Sequence, residues 1–114
     1  MRTESYLQKT IVVHLSNLPV MLDELGSITK TVSEGADCDV VLDFSGVDII
    51  TTPAIARLIT LRKLLVNCGR RLVLHSAAQQ IRGVFATTGL DQIFEFADDK
   101  DAALARVQHA HSKN

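Results

Sequence analysis

A chain of 114 residues with 46% apolar and 22% charged residues has the size and balance of one globular domain, large enough to bury a core without metal or disulfide staples. Twelve Lys and Arg against thirteen Asp and Glu leave a net charge of -1, which supplies no field to gather nucleic acid or anionic lipid. No apolar run approaches the roughly 20 residues that span a bilayer, and the start, Met1-Arg2-Thr3-Glu4-Ser5-Tyr6, has no apolar signal core, so a cytoplasmic protein without membrane insertion is expected.

The first element runs from Tyr6 to Leu15, where Thr10-Ile11-Val12-Val13-His14-Leu15 is β-branched and short, and Gln8-Lys9 marks a turn. Leu18, Met21, Leu22, Leu25 and Ile28 then recur at spacings of three and four, which predicts an amphipathic helix with Asn17 as N-cap, Pro19 in its first turn and its end near Glu34-Gly35. Asp39-Val40-Val41-Leu42-Asp43-Phe44 is a near-continuous apolar run, the pattern of a central strand covered on both faces. Ser45 to Ile50 leads off the sheet into a second helix, with Thr52 as N-cap, Pro53 at its first position and an apolar stripe of Ala54, Leu58, Leu61 and Leu65. Arg57, Arg62 and Lys63 face out or along the rim, and Asn67-Cys68-Gly69 ends the helix.

Arg71 to His75 is the next strand, Ser76 caps a third helix from Ala77 to about Thr87, and Gly89 closes it. Ile93-Phe94-Glu95-Phe96 alternates like a short edge strand. Asp98, Asp99 and Asp101 open a last helix through Val107, beyond which residues 108–114 form a frayed tail. The alternation predicts an α/β fold whose sheet has parallel members joined by right-handed crossovers, in a single domain over 1–114 with its core at 6–107.

Chemistry-bearing motifs are absent: there is no GxSxG elbow, no phosphate-binding glycine loop and no HExxH. His14, His75, His109 and His111 show no metal-ligand spacing, Cys38 and Cys68 are too far apart for a CxxC site and read as buried or half-buried thiols, and no cofactor or metal is expected. Asp43 and Asp48 read as strand-end and turn residues rather than paired catalytic carboxylates. Function is expected on the loop after the central strand, because α/β domains place binding on loops at strand C-termini: Ser45, Gly46, Asp48, Ile49, Thr51, Thr52, Pro53 and Arg57 form the candidate partner-binding rim.

The block from Val40 to Leu58, with Asp43-Phe44-Ser45-Gly46-Val47-Asp48 leading to Thr51-Thr52-Pro53, resembles the signature region of STAS domains. Asn67-Cys68-Gly69-Arg70-Arg71-Leu72-Val73-Leu74 and the ending Ile81, Phe85, Gly89-Leu90, Ile93-Phe94 fit the same pattern. The resemblance implies a mixed central sheet of about four to five strands with about four helices packed largely on one side, and a non-enzymatic anti-sigma factor antagonist, a monomer or weak dimer, that binds an anti-sigma factor or a serine/threonine protein kinase and is switched by phosphorylation where the second helix starts. The family's usual Asp falls on Thr51, its first hydroxyl on Thr52 and its second on Pro53, so the implied acceptor is Thr52, with Thr51 as the other candidate. The same resemblance also covers a constitutive scaffold subunit of a stressosome-like or ABC-transporter complex, and a small-ligand sensor.

Overall fold

Asp39–Asp43 forms β3, and all of its residues are buried, as a strand covered on both faces requires. It pairs in parallel with β2, Thr10–His14, on one side and with β4, Leu72–His75, on the other. β5, Glu95–Ala97, adds in parallel beyond β4, while β1, Arg2–Tyr6, folds back antiparallel on β2. The result is a five-stranded mixed sheet in the order β1-β2-β3-β4-β5. The computed structural model describes residues 2–6 and 9–112 of the chain.

The helices are α1, Val20–Ser33; α2, Thr52–Asn67; α3, Gln79–Thr87; and α4, Lys100–Ser112. Strand parity decides which helix each side chain meets. Val13, Val40, Leu42 and Leu74 point to the face covered by α1, α2 and α3, where Met21, Leu25, Leu58, Leu61, Leu65, Ile81 and Phe85 close the main core. Each such side chain contributes about 1.5 to 3 kcal/mol on burial. The opposite parity gives the in-register row Val12, Val41 and Val73, which α4 covers with Ala103 and Val107. Helices thus lie three to one.

Local signals explain most boundaries. The predicted stripe Ala54, Leu58, Leu61 and Leu65 is fully buried. Gly35 follows α1 at φ 100° and Gly89 follows α3 at φ 77°, a left-handed turn that a Cβ disfavours and that ends each helix. Asp99 caps α4 by accepting the Ala102 amide at 2.8 Å.

Several boundaries differ from the sequence reading. Arg2–Tyr6 is a strand, although its polar residues carry no apolar alternation, because an edge strand is held by its backbone ladder to β2. Of the expected turn, Lys9 has φ 59°, and Gln8 lies outside the described residues. Asn17 does not cap α1: the helix starts at Val20 behind Pro19, and the Asn17 side chain is committed to Asp48. Ser76 does not cap α3 either, since it sits at φ 58° with its hydroxyl against His75, and the helix waits until Gln79. A single 3-10 turn at Leu90–Gln92 and the Phe94 amide bonded to Leu90 O delay β5 until Glu95. α4 continues to Ser112, so the residues from Gln108 to Ser112 are helical rather than frayed. Cys38 is buried as expected, but Cys68 is exposed at the end of α2.

Candidate functional site

The loop between β3 and α2 is built as a rigid rim. Phe44 is buried, and its amide bonds His75 O at 2.9 Å, so the chain leaves the sheet in a fixed direction. Asp43 Oδ1 then accepts the Ser45 amide at 2.8 Å, and the Val47 amide closes a turn on Phe44 O at 3.0 Å. Gly46 passes so close to the neighbouring loop that a Cβ would lie 3.2 Å from Leu15 O. Val47 plugs the core, whereas the next apolar side chain, Ile49, is 63% exposed.

Two polar residues anchor this loop to the one before α1. Asn17 Nδ2 donates to Asp48 Oδ2 at 3.0 Å, and the Asp48 amide donates to Asn17 Oδ1 at 2.8 Å. The α1 loop is itself held from within, because the buried Glu24 accepts both the amide of Ser16, at 2.7 Å, and its hydroxyl, at 3.0 Å.

At the start of α2 the cap is one residue earlier than the sequence suggests. Thr51, half-buried, is the extended N-cap residue at φ -120° and ψ 165°, and its carbonyl accepts the Ile55 amide. Thr52 is the first helical residue and Pro53 the second, both exposed. The displacement has a simple cause: with Ala54 fully buried, helical geometry sets Thr52 and Pro53 on the outer side of the first turn. Neither threonine makes a side-chain capping bond, and the first turn holds no acid. Ser45, Gly46, Asp48, Ile49, Thr52, Pro53 and Arg57 are all exposed, and Arg57 lies one turn along α2 beside Gly26 of α1.

A second cluster was invisible to motif reading. On the α4 face, the row beyond the valines is His14, Asp43 and His75, in register across three adjacent strands. His14 Nδ1 lies 2.5 Å from Asp43 Oδ2, its Nε2 meets Glu4 of β1, and Lys100 of α4 donates to Glu4 at 3.2 Å. Burial pushes the Asp43 carboxyl up, but the Ser45 amide and the His14 ring together hold it below its ordinary 3.8. Burial pushes His75 below its ordinary 6.5, against the opposing pull of Asp43. The available signal was positional: each of the three ends an apolar strand at the same parity.

This row does not assemble a nucleophile. An Asp-His-Ser relay needs carboxylate and hydroxyl on opposite ring nitrogens. Here Ser76 Oγ, at 2.8 Å, and Asp43 Oδ1, at 4.0 Å, both face His75 Nδ1, and Nε2 is buried with no partner among the described residues. The row instead ties β1 and α4 to the end of the sheet. Among the described residues no group of three or more His, Cys, Asp and Glu is placed to hold a metal ion, and no helix is long and apolar enough to cross a membrane.

Solved structures share this architecture. A variant of RsbS from Moorella thermoacetica superposes with a TM-score of 0.77 at 14% identity, covering 97% of each chain. A candidate anti-sigma factor antagonist from Thermotoga maritima gives 0.76 at 16% identity, covering 94% of this chain and 93% of its own. The anti-sigma factor antagonist SpoIIAA in its unphosphorylated form gives 0.74 at 17% identity, covering 94% and 96%. Identities this low establish the fold alone. Among curated proteins, none matches the chain in sequence. The STAS domain model matches residues 2–103, which take in all five strands, α1 to α3 and the first turn of α4, and the chain belongs to the STAS domain family.

Proposed function

We propose that this protein is a non-enzymatic, cytoplasmic docking module, an anti-sigma factor antagonist, whose β3–α2 rim binds an anti-sigma factor or a serine/threonine protein kinase. The observation that carries the reading is Ile49: a large apolar side chain, 63% exposed, held out at the apex of a loop that Asn17, Asp48 and Ser45 fix in place. An apolar anchor on a rigid rim, flanked by Thr52, Pro53 and Arg57, has the make-up of a protein-binding hot spot. The antagonist reading is drawn from SpoIIAA, which shares the fold.

The switch follows from Thr52. A phosphate there adds about -1.5 to -2 charges at the positive end of α2, where no acid opposes it, and it stands on the surface a partner would cover. The fold accommodates the group while the interface repels it. The test is to capture partners on the purified protein, incubate it with the captured serine/threonine kinase and ATP, and map the product by mass spectrometry. Phosphate on Thr52 with release of the partner supports the antagonist. Stable capture with no phosphate supports the constitutive scaffold subunit instead, and loss of neither partner nor phosphate in an Ile49→Asp protein would place the interface elsewhere.

A further inference from the structure

Between α1 and α2 runs an open groove of about 620 Å³, floored by Gly26, Thr29, Ala56 and Thr60 and walled by Lys30 and Arg57. The small floor residues keep the two helices from filling it; at Gly26 a Cβ would meet only Arg57 Nη1, at 3.4 Å. Pro53 closes the end nearest the rim.

The groove carries two positive charges and no carboxylate. Among the described residues, Arg2, Lys9, Arg70, Arg71, Arg82, Lys100 and Arg106 each lie within ion-pair distance of a carboxylate. Among the described residues Lys30 and Arg57 form no ion pair. Asp23 and Glu34 belong to α1 and its end but do not line the groove. Among the described residues the cations without a carboxylate partner are therefore Lys30, Arg57, Arg62 and Lys63, all on α1 and α2; of these only Lys30 and Arg57 line the groove, and Arg62 instead donates to Ile93 O at 2.9 Å.

The floor adds a second constraint. Thr29 Oγ1 donates to Leu25 O at 2.7 Å, Thr60 Oγ1 to Ala56 O at 3.1 Å, and Ser33 Oγ to Lys30 O at 2.9 Å. Their protons are spent on the helices, so these hydroxyls offer only acceptor lone pairs. A bare phosphate would find acceptors beneath it and two cations at the sides. A peptide fits both: its backbone N–H groups meet the hydroxyl oxygens, and its carboxylates reach Lys30 and Arg57.

We infer that the α1–α2 groove seats an acidic, extended segment of a protein partner. This rests on the docking reading of the rim, with which the groove shares Pro53 and Arg57. The test uses the full chain and a short fluorescein-labelled peptide of alternating Glu and Ser, with a Gln and Ser peptide as control, followed by anisotropy and by amide shifts of the wild-type protein. The acidic peptide is expected to bind with shifts at Gly26, Thr29, Ala56 and Thr60, to weaken with added salt, and to lose about five- to tenfold in affinity in Lys30→Glu and Arg57→Glu proteins. Equal binding of the two peptides, shifts elsewhere, or the same shifts from inorganic phosphate would overturn it. Lys30→Gln serves if charge reversal unfolds the helix, and an unchanged affinity there also overturns it. An Ile49→Asp protein separates the two ideas: it is expected to lose the partner and keep the peptide, and a variant that keeps both defeats the rim reading while the groove stands.

Discussion

Asn17 and Asp48 bond each other twice, each through a different pair of atoms, and so join the loop before α1 to the loop before α2. The pair is exposed, so each hydrogen bond is worth about 0.5 to 1.5 kcal/mol at most. Its effect falls on the rim: with it, Ile49 is presented from a fixed backbone; without it, the loop must be ordered when a partner binds. Asn17→Ala is expected to cost about 1 kcal/mol of stability, and Asn17→Asp more, because it sets a second carboxylate against Asp48. Urea titrations of the single and double Ala variants measure the coupling, and additive losses would show that the two residues act separately.

Thr52 is expected to separate stability from binding. Because its hydroxyl makes no capping bond, Thr52→Ala should leave the unfolding free energy from urea titration within about 0.5 kcal/mol of wild type. Thr52→Glu should also fold, its acid lying at the favourable end of the helix. Partner affinity should nonetheless fall in Thr52→Glu by about 1 to 3 kcal/mol, roughly 5- to 150-fold. Calorimetric titration with the captured partner reads this directly; a Thr52→Glu protein that binds like wild type removes the switch.

How far the sequence reaches is seen in three places. The stripe Ala54, Leu58, Leu61 and Leu65 and the buried run of β3 were legible because helix and strand periods write themselves into apolar spacing. The cap positions were not: Asn17, Thr52 and Ser76 are good capping residues by type, yet Asp48 and His75 engage the side chains of Asn17 and Ser76, and the burial of Ala54 moves Thr52 one place into the helix. β1 and the His14, Asp43 and His75 row were hidden for a further reason. Both exist only through pairing of distant strands, and a polar residue at the end of an apolar run looks the same in sequence whether it faces water or another strand's histidine.

Phe85 is the joint between α3 and the edge of the sheet. Fully buried, it meets Phe94 edge-on at 5.4 Å and Phe96 at 5.1 Å between ring centroids. Each such contact adds about 0.5 to 1.5 kcal/mol beyond burial. Phe85→Ala is therefore expected to cost about 3 to 5 kcal/mol, and Phe85→Leu, which keeps most of the volume, about 1 to 2 kcal/mol. Chemical denaturation checks both values. A small loss in the Ala variant would mean that α3 collapses onto the vacated space.

The polar row predicts how the protein responds to acid. His75 is buried and held neutral, with burial the main cause, His14 and Lys100 acting in the same direction and Asp43 and Asp99 opposing. Its folded value lies below the ordinary 6.5, so as the pH drops through 6.5 the unfolded chain takes up a proton that the folded protein refuses. Stability from this group is complete above 6.5 and is lost as the pH falls toward the folded value. Asp43 works in the same sense lower down: its carboxyl is held below 3.8, and its contribution is present above that value and disappears as the pH falls through the folded one. Acid destabilisation should thus come in two stages. Urea midpoints at about pH 7.5 and about pH 5.5 test the first, the midpoint being lower at the more acid value, and His75→Leu should flatten that difference while leaving the later loss below pH 3.8. A wild-type protein that is more stable at the lower of the two pH values would mean that Asp43 outweighs burial and that His75 is charged in the fold.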